Sequence, residues 1–199
     1  MRTFFRETDY PLYLSLLDQA ARRFGVAIRA YCLMPNHVHL VVVPGSAGSL
    51  AALARSAHRR YSRIVNARFD WSGHLWQERF HSFVMDDVHL GHALRYVHHN
   101  PVRAHLVASA ADWPWSSARA YLGLVSDPIL CPQPTPSCDA EWTSPLAEPL
   151  SPVALERVRG SSRSGLPLGD DAFVDELEER FGRRLRFRPP GPPANPADR

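Results

Sequence analysis

Two runs rich in β-favouring residues, VAIRAYCLM at 26–34 and HVHLVVV at 37–43, are separated only by the dipeptide Pro35-Asn36. So short a connection fits an antiparallel hairpin, because a parallel pairing would need a crossover of a dozen or more residues. The flanks change period. Before the hairpin, Asp9 and Pro11 open a run with Leu12, Leu16, Leu17 and Ala20 on one stripe and Gly25 at its end, which predicts a helix. After it, residues 49–69 place Leu50, Ala54, Ala57, Tyr61, Ile64 and Val65 on an inward stripe, with Arg55, Arg59 and Arg63 four apart on another face. A Ser72-Gly73 turn leads to alternating residues over 75–85, read as a third strand. Asp86 or Asp87 then caps a helix running to the Asn100-Pro101 break. The order helix, strand, strand, helix, strand, helix describes an α+β unit built on an antiparallel sheet.

With 199 residues, 45% of them apolar, the chain can bury a core and add an appendage. Thirteen of its 18 prolines lie beyond residue 124, and 126–152 has neither helical nor strand period. It reads as a proline-rich linker between a first domain, 1–125, and a helical C-terminal extension, 153–199, with a basic, proline-rich tail. In that extension Asp170 or Asp171 caps a helix carrying Phe173, Leu177 and Phe181, stopped by Gly182. Residues 1–123 hold 14 Arg against 8 acidic side chains, whereas 124–199 hold 9 against 12. Every one of the 23 basic residues is Arg, which suits bidentate phosphate recognition but also fits a GC-rich genome. All ten histidines fall between His37 and His105, so chemistry is sought there. Cys32, Cys131 and Cys138 have no metal-ligand spacing and no even count for a disulfide framework. No apolar run approaches the roughly eighteen residues of a membrane span, and the N-terminus lacks a signal peptide's apolar centre, so a cytoplasmic protein is expected.

His37 and His39 are two apart on a predicted strand, so both imidazoles leave the same sheet face and can supply half a metal site; two exposed strand histidines would look the same. On the last helix of the basic part Leu90, Ala93, Leu94 and Val97 form the inward stripe. Tyr96 and Asn100, with His89 and His92, occupy another face. Either Tyr96 is half-buried with a wet hydroxyl, or it is a nucleophile beside a metal held by His37, His39 and the amide oxygen of Asn100. Tyr61 is the rival tyrosine, but it sits on its helix's apolar stripe and belongs to the core.

His37-Val38-His39 resembles the His-hydrophobic-His motif of the single-tyrosine (HUH) transposases. The surroundings sharpen the match: Pro35 to Leu40, Gly73 to Phe80, Arg95 to Ala104 and Asp112 to Ser117 all resemble the branch called REP-associated tyrosine transposases. The resemblance spans about 2–123, and Pro167-Leu168-Gly169 with Gly182-Arg183-Arg184-Leu185 are similar to that branch's C-terminal extension.

The resemblance implies a ferredoxin-like, RRM-like antiparallel sheet with helices on one face, the histidine pair on a central strand and Tyr96 on a facing helix. It further implies attack by Tyr96 on single-stranded DNA, either unpaired or folded as a palindromic hairpin, to leave a 5′-phosphotyrosine link and a 3′-hydroxyl. Mg²⁺ or Mn²⁺ would be held by His37, His39 and Asn100, and a homodimer would assemble each site in cis or in trans. On that substrate Arg55, Arg59 and Arg63 would track phosphates, while Gln77, Arg79 and His81, alternate residues of one strand face, would line the same groove. Trp71, Trp76, Trp113 and Trp115 are stacking platforms or core. Chains of this branch carry one more strand before the first helix, and here Arg2 to Tyr10 already resembles the segment between that strand and the helix. A downstream start, a decayed remnant or completion by a partner chain would each account for that. Two rival functions remain: a non-catalytic single-stranded nucleic-acid-binding module, and a metal-dependent nuclease that uses water.

Overall fold

The computed structural model describes residues 2–77, 80–131 and 149–187. Helix α1 (Asp9–Phe24) leads into strands β1 (Val26–Met34) and β2 (His37–Pro44), followed by α2 (Ser49–Phe69), α3 (Asp87–His98), α4 (Asn100–Arg103), a 3₁₀ turn (Ala110–Asp112), α5 (Ala118–Tyr121), α6 (Pro152–Ser164) and α7 (Asp171–Phe181). The fold is α+β. Gly25 ends α1 with φ +63°, a left-handed conformation open to glycine without strain, and its N–H donates to Ala21 O. Its carbonyl then accepts the Gly45 N–H at 2.9 Å, tying the start of β1 to the exit of β2.

The hairpin pairs Met34 with His37, Leu33 with Val38 and Cys32 with His39. A bulge at Arg29 shifts the register between Ile28 and Ala30. Alternation then sorts the side chains onto two faces. Ile28, Tyr31 and Leu33, with Val38, Leu40 and Val42, join Phe4, Tyr13, Leu17, Leu53, Ala57, Tyr61 and Val65 in a core under α1 and α2. Ala30, Cys32, Met34 and Val41 turn the other way and meet Ala93, Leu94 and Val97 of α3. Helices therefore cover both faces of the hairpin, α3 opposite α1 and α2, where the resemblance implied one.

The strand expected over 75–85 does not form among its described residues. Leu75 is buried and Trp76 stacks on His58 at 4.1 Å, whereas Phe80 and Val84 are exposed, so the alternating apolar residues never share a covered face. Of the described residues in this stretch, Met85 alone bridges, in parallel with Leu168. The sheet of the described residues thus has two strands, and β2 is one of its edges rather than the central strand that the resemblance implied. The outer edge of β1 is occupied: Leu33 N–H donates to Trp115 O, while Tyr31 O and Ile28 O accept from Ser117 and Cys131 N–H. Trp113 donates its indole N–H to Leu33 O and Trp115 stacks on Tyr10, so both serve packing. Trp71, 46% exposed, stacks on Phe69. No helix among the described residues is long and apolar enough to cross a membrane.

Most of the proline-rich segment, 132–148, lies outside the described residues, as does the tail beyond 187. Of the extension, α7 is capped by Asp170, one of the two aspartates expected, and has the expected Gly182 stop. Helix α6, capped by the Ser151 hydroxyl with Pro152 in its first turn, packs against α3. Residues 168–170 fasten the extension to the start of α3. Leu168 N–H donates to Val84 O, Asp86 N–H to Leu168 O, and Asp170 N–H to Asp86 Oδ2 at 3.1 Å. A β-carbon on Gly169 would collide with the Phe173 ring and lie 3.1 Å from Asp86 Oδ2. Gly169→Ala is expected to cost about 1–3 kcal/mol through this overpacking. Limited proteolysis should show it as faster cleavage between 149 and 170; an unchanged pattern would contradict so tight a seat.

Candidate active site

The two strand histidines lie on the face that α3 covers. Their rings meet edge to face, 4.6 Å between centroids and 90° apart, and the two Nε2 atoms are 2.9 Å from each other. Two lone pairs cannot face each other at that distance, so one nitrogen carries a proton. His37 Nδ1 lies 2.7 Å from Asn36 Oδ1. The imidazole that donates there presents the lone pair of its Nε2, and His39 supplies the Nε2–H; these proton positions follow from the hydrogen-bond network. Burial lowers the pKa of His37. Burial, with the like charges of His37 and Arg103, takes His39 down to about 3. Both rings are therefore neutral at pH 7, the state in which imidazole ligates a cation.

Asn36 was not singled out as a site residue in the sequence. It lies in a turn clasped by the N-terminal segment: Thr3 and Phe4 N–H both donate to Pro35 O, and the Thr3 hydroxyl donates to Asn36 O. The main chain before the histidine pair is thus fixed by the N-terminal segment.

Asp86 starts α3 by accepting the His89 N–H at 2.7 Å, and His89 Nδ1 lies 2.6 Å from the same oxygen. His89 is therefore part of the helix cap and is buried. Two turns on, the Tyr96 ring meets His39 edge to face, with centroids 5.5 Å apart at 84°. It packs on the small cluster of Ala30, Cys32 and Met34 beneath. The break after α3 falls at His99, and Asn100 is the first residue of α4, with Pro101 in the first turn. The helix break expected at Asn100-Pro101 thus falls one residue earlier: proline is tolerated where an N–H has no helical acceptor, so Asn100 remains helical. Its Nδ2 donates to Tyr96 O at 3.2 Å. Arg103, half-buried, also donates to Tyr96 O, at 2.6 Å, and places its guanidinium carbon 4.4 Å from the centre of the Tyr96 ring. Spacing i, i+4, i+7 from Tyr96 would have placed Asn100 and Arg103 on one stripe.

The fold brings His37, His39 and Tyr96 together and sets Asn100 one turn beyond, at the start of α4. Arg55, Arg59 and Arg63 stay apart from them. They line an exposed groove with Phe24, Ala52, Ser56 and Arg60 on the outer side of α2, across the hairpin from α3. Gln77 and His81 are exposed and do not share a strand face, which corrects the groove expected to join them to the arginines, and Arg79 lies outside the described residues. Tyr61 is fully buried with its hydroxyl donating to Thr3 O, and burial raises its pKa; it is a core residue.

The family model described as "Transposase IS200 like" matches residues 2–100, a span that contains both histidines, Tyr96 and Asn100. A Haemophilus influenzae protein provisionally named a REP-associated tyrosine transposase is 28% identical over 123 residues, 55% of this chain and 69% of that protein. No solved structure matches the chain. Through this N-terminal half the chain belongs to the IS200-like transposase family.

Proposed function

We propose that this transposase cleaves and rejoins single-stranded DNA through a covalent 5′-phosphotyrosine on Tyr96, assisted by Mg²⁺ or Mn²⁺. The observation that carries the reading is the convergence of the two imidazole Nε2 atoms, 2.9 Å apart, on the face where the Tyr96 ring meets His39. With the His39 proton moved from Nε2 to Nδ1, the two Nε2 lone pairs, 2.9 Å apart and with an amide side chain one turn past the tyrosine, fit a divalent cation, and His37, His39 and Asn100 would hold it. Such an ion supplies Lewis-acid stabilisation of the charge that gathers on a nonbridging phosphate oxygen.

The chain's own groups do the rest. Asn36 holds the His37 ring by its Nδ1, and α3 presents the phenol to the strand. Tyr96 Oη forms a bond to phosphorus as the bond from phosphorus to the 3′-oxygen breaks. The phenol proton leaves to solvent and the departing 3′-oxygen takes one up. The phosphotyrosine conserves the bond energy, so a 3′-hydroxyl can attack it and restore a strand without ATP. Single-stranded DNA, folded or not into a palindromic hairpin, is the substrate, and the outer arginines of α2 form a separate basic surface for its backbone.

The test incubates the protein with single-stranded DNA labelled at either end and resolves products on a denaturing gel. With Mn²⁺, 3′-labelled DNA is expected to migrate with the protein and 5′-labelled DNA to yield a short fragment that a polymerase extends from its 3′-hydroxyl. EDTA is expected to abolish both, and Mg²⁺ or Mn²⁺ in excess to restore them. Cleavage without any protein-bound label would instead establish a water-using nuclease. Binding that persists in EDTA with no cleavage under either metal would establish a non-catalytic module.

A further inference from the structure

Arg103 is directed at Tyr96 more than at anything else the structure describes. Its guanidinium donates to Tyr96 O at 2.6 Å and lies over the Tyr96 ring at 4.4 Å, so one side chain grips both the main chain and the aromatic face of one residue. A guanidinium this close to a ring centre is attracted by the quadrupole of the ring. The group is half-buried, and no carboxylate pairs with it among the described residues. A cation that gives up water without an anionic partner must be held by what it does touch. The junction of α3 and α4 allows this reach: Pro101 has no N–H, the helical run breaks at His99, and the short α4 ends at Arg103, whose guanidinium reaches Tyr96.

We propose that Arg103 is a positioning residue that fixes the orientation of the Tyr96 ring toward His39. The inference rests on Tyr96 being the nucleophile and adds what holds it. A phenol on a flexible side chain can swing about its first two torsions, and a misplacement of about 1 Å costs of the order of 100-fold in rate. The planar fork of arginine can stack and donate at once, which the lysine ammonium does less well.

The experiment compares wild type, Arg103→Gln and Arg103→Lys in two measurements: the single-turnover rate of adduct formation at saturating single-stranded DNA with Mn²⁺, and the dissociation constant for the same DNA in EDTA over a salt series. Arg103→Gln is expected to slow the adduct rate by about 10–100-fold, with the dissociation constant within twofold and the salt slope unchanged. Arg103→Lys is expected to recover part of the rate. Tyrosine-ring NMR of the folded Arg103→Gln protein should show the Tyr96 signals shifted. An unchanged adduct rate overturns the proposal. So does weakened binding with the salt slope reduced by about one, which would make Arg103 a ligand of a backbone phosphate, an outcome to which the like charge of Arg159 on α6 also points. Failure of the underlying reading is separable: it shows as an adduct that persists in Tyr96→Phe, whatever the Arg103 variants do.

Discussion

Tyr96→Phe is expected to eliminate the covalent DNA adduct, a loss of at least about 10⁴-fold, while the protein remains folded and still binds single-stranded DNA. The substitution removes one oxygen and keeps the ring. The edge-to-face contact with His39 and the guanidinium stacked at 4.4 Å both depend on that ring, so the packing between α3 and the hairpin is retained. The main-chain contacts of Tyr96 through Asn100 and Arg103 are indifferent to the change. Stability should therefore move by less than about 1 kcal/mol. The pairing of a large chemical effect with a small thermodynamic one separates a nucleophile from a structural tyrosine. Tyr61→Phe serves as the control, since its hydroxyl donates to Thr3 O inside the core. That variant should lose about 1 kcal/mol and keep the adduct. An adduct of undiminished yield from Tyr96→Phe would remove Tyr96 from the chemistry.

The sequence made legible whatever depends on local period and spacing. The hairpin follows from two β-favouring runs around Pro35-Asn36, and residues 49–69 are one helix because their apolar stripe holds for more than five turns. His37 and His39 share a face because strand side chains alternate. The strand expected at 75–85 failed for a non-local reason: alternation shows which residues could share a face, but a strand also needs a neighbour's edge. Val84 O and Asp86 N–H found that edge in Leu168, more than 80 residues away, in a segment whose seat no period reveals. The location of the α2 arginines was equally hidden. Their spacing was visible, but only packing shows that α2 covers one face of the hairpin while the histidines occupy the other. Arg103 was visible as a letter within the stretch from Arg95 to Ala104, and its role required seeing that its head group returns to the ring seven residues earlier.

Asp9→Ala is expected to destabilise the protein by about 3 kcal/mol, lowering the melting temperature by about 6–12 °C, and to weaken the candidate site from a distance. The Asp9 carboxylate is fully buried; it accepts the N–H groups of Phe5 and Arg6 at 2.9 Å each and the Arg68 guanidinium at 2.6 Å. Removal leaves two main-chain donors and one cation without their acceptor, each a desolvation cost that no smaller side chain offsets. The donors belong to the segment whose Thr3 and Phe4 clasp Pro35 and Asn36, next to His37, so a loosened segment frees the turn that orients the imidazole. The same group predicts a pH signature. Burial is the largest influence and raises the pKa, but the Arg68 hydrogen bond, the N–H groups of Arg6 and Phe5 and the Arg68 charge together outweigh it and hold the pKa below its ordinary 3.8. A depressed carboxylate contributes stability that is present above that ordinary value and is lost as pH falls through the folded one. Urea unfolding at a series of pH values should therefore show the wild type losing its advantage over Asp9→Asn as the pH drops below about 4, because the amide has no charge to titrate. Asp86 is depressed as well and acts in both proteins, so the difference between the two curves isolates Asp9. Parallel curves would show that the buried ion pair with Arg68 is not what anchors the N-terminal segment.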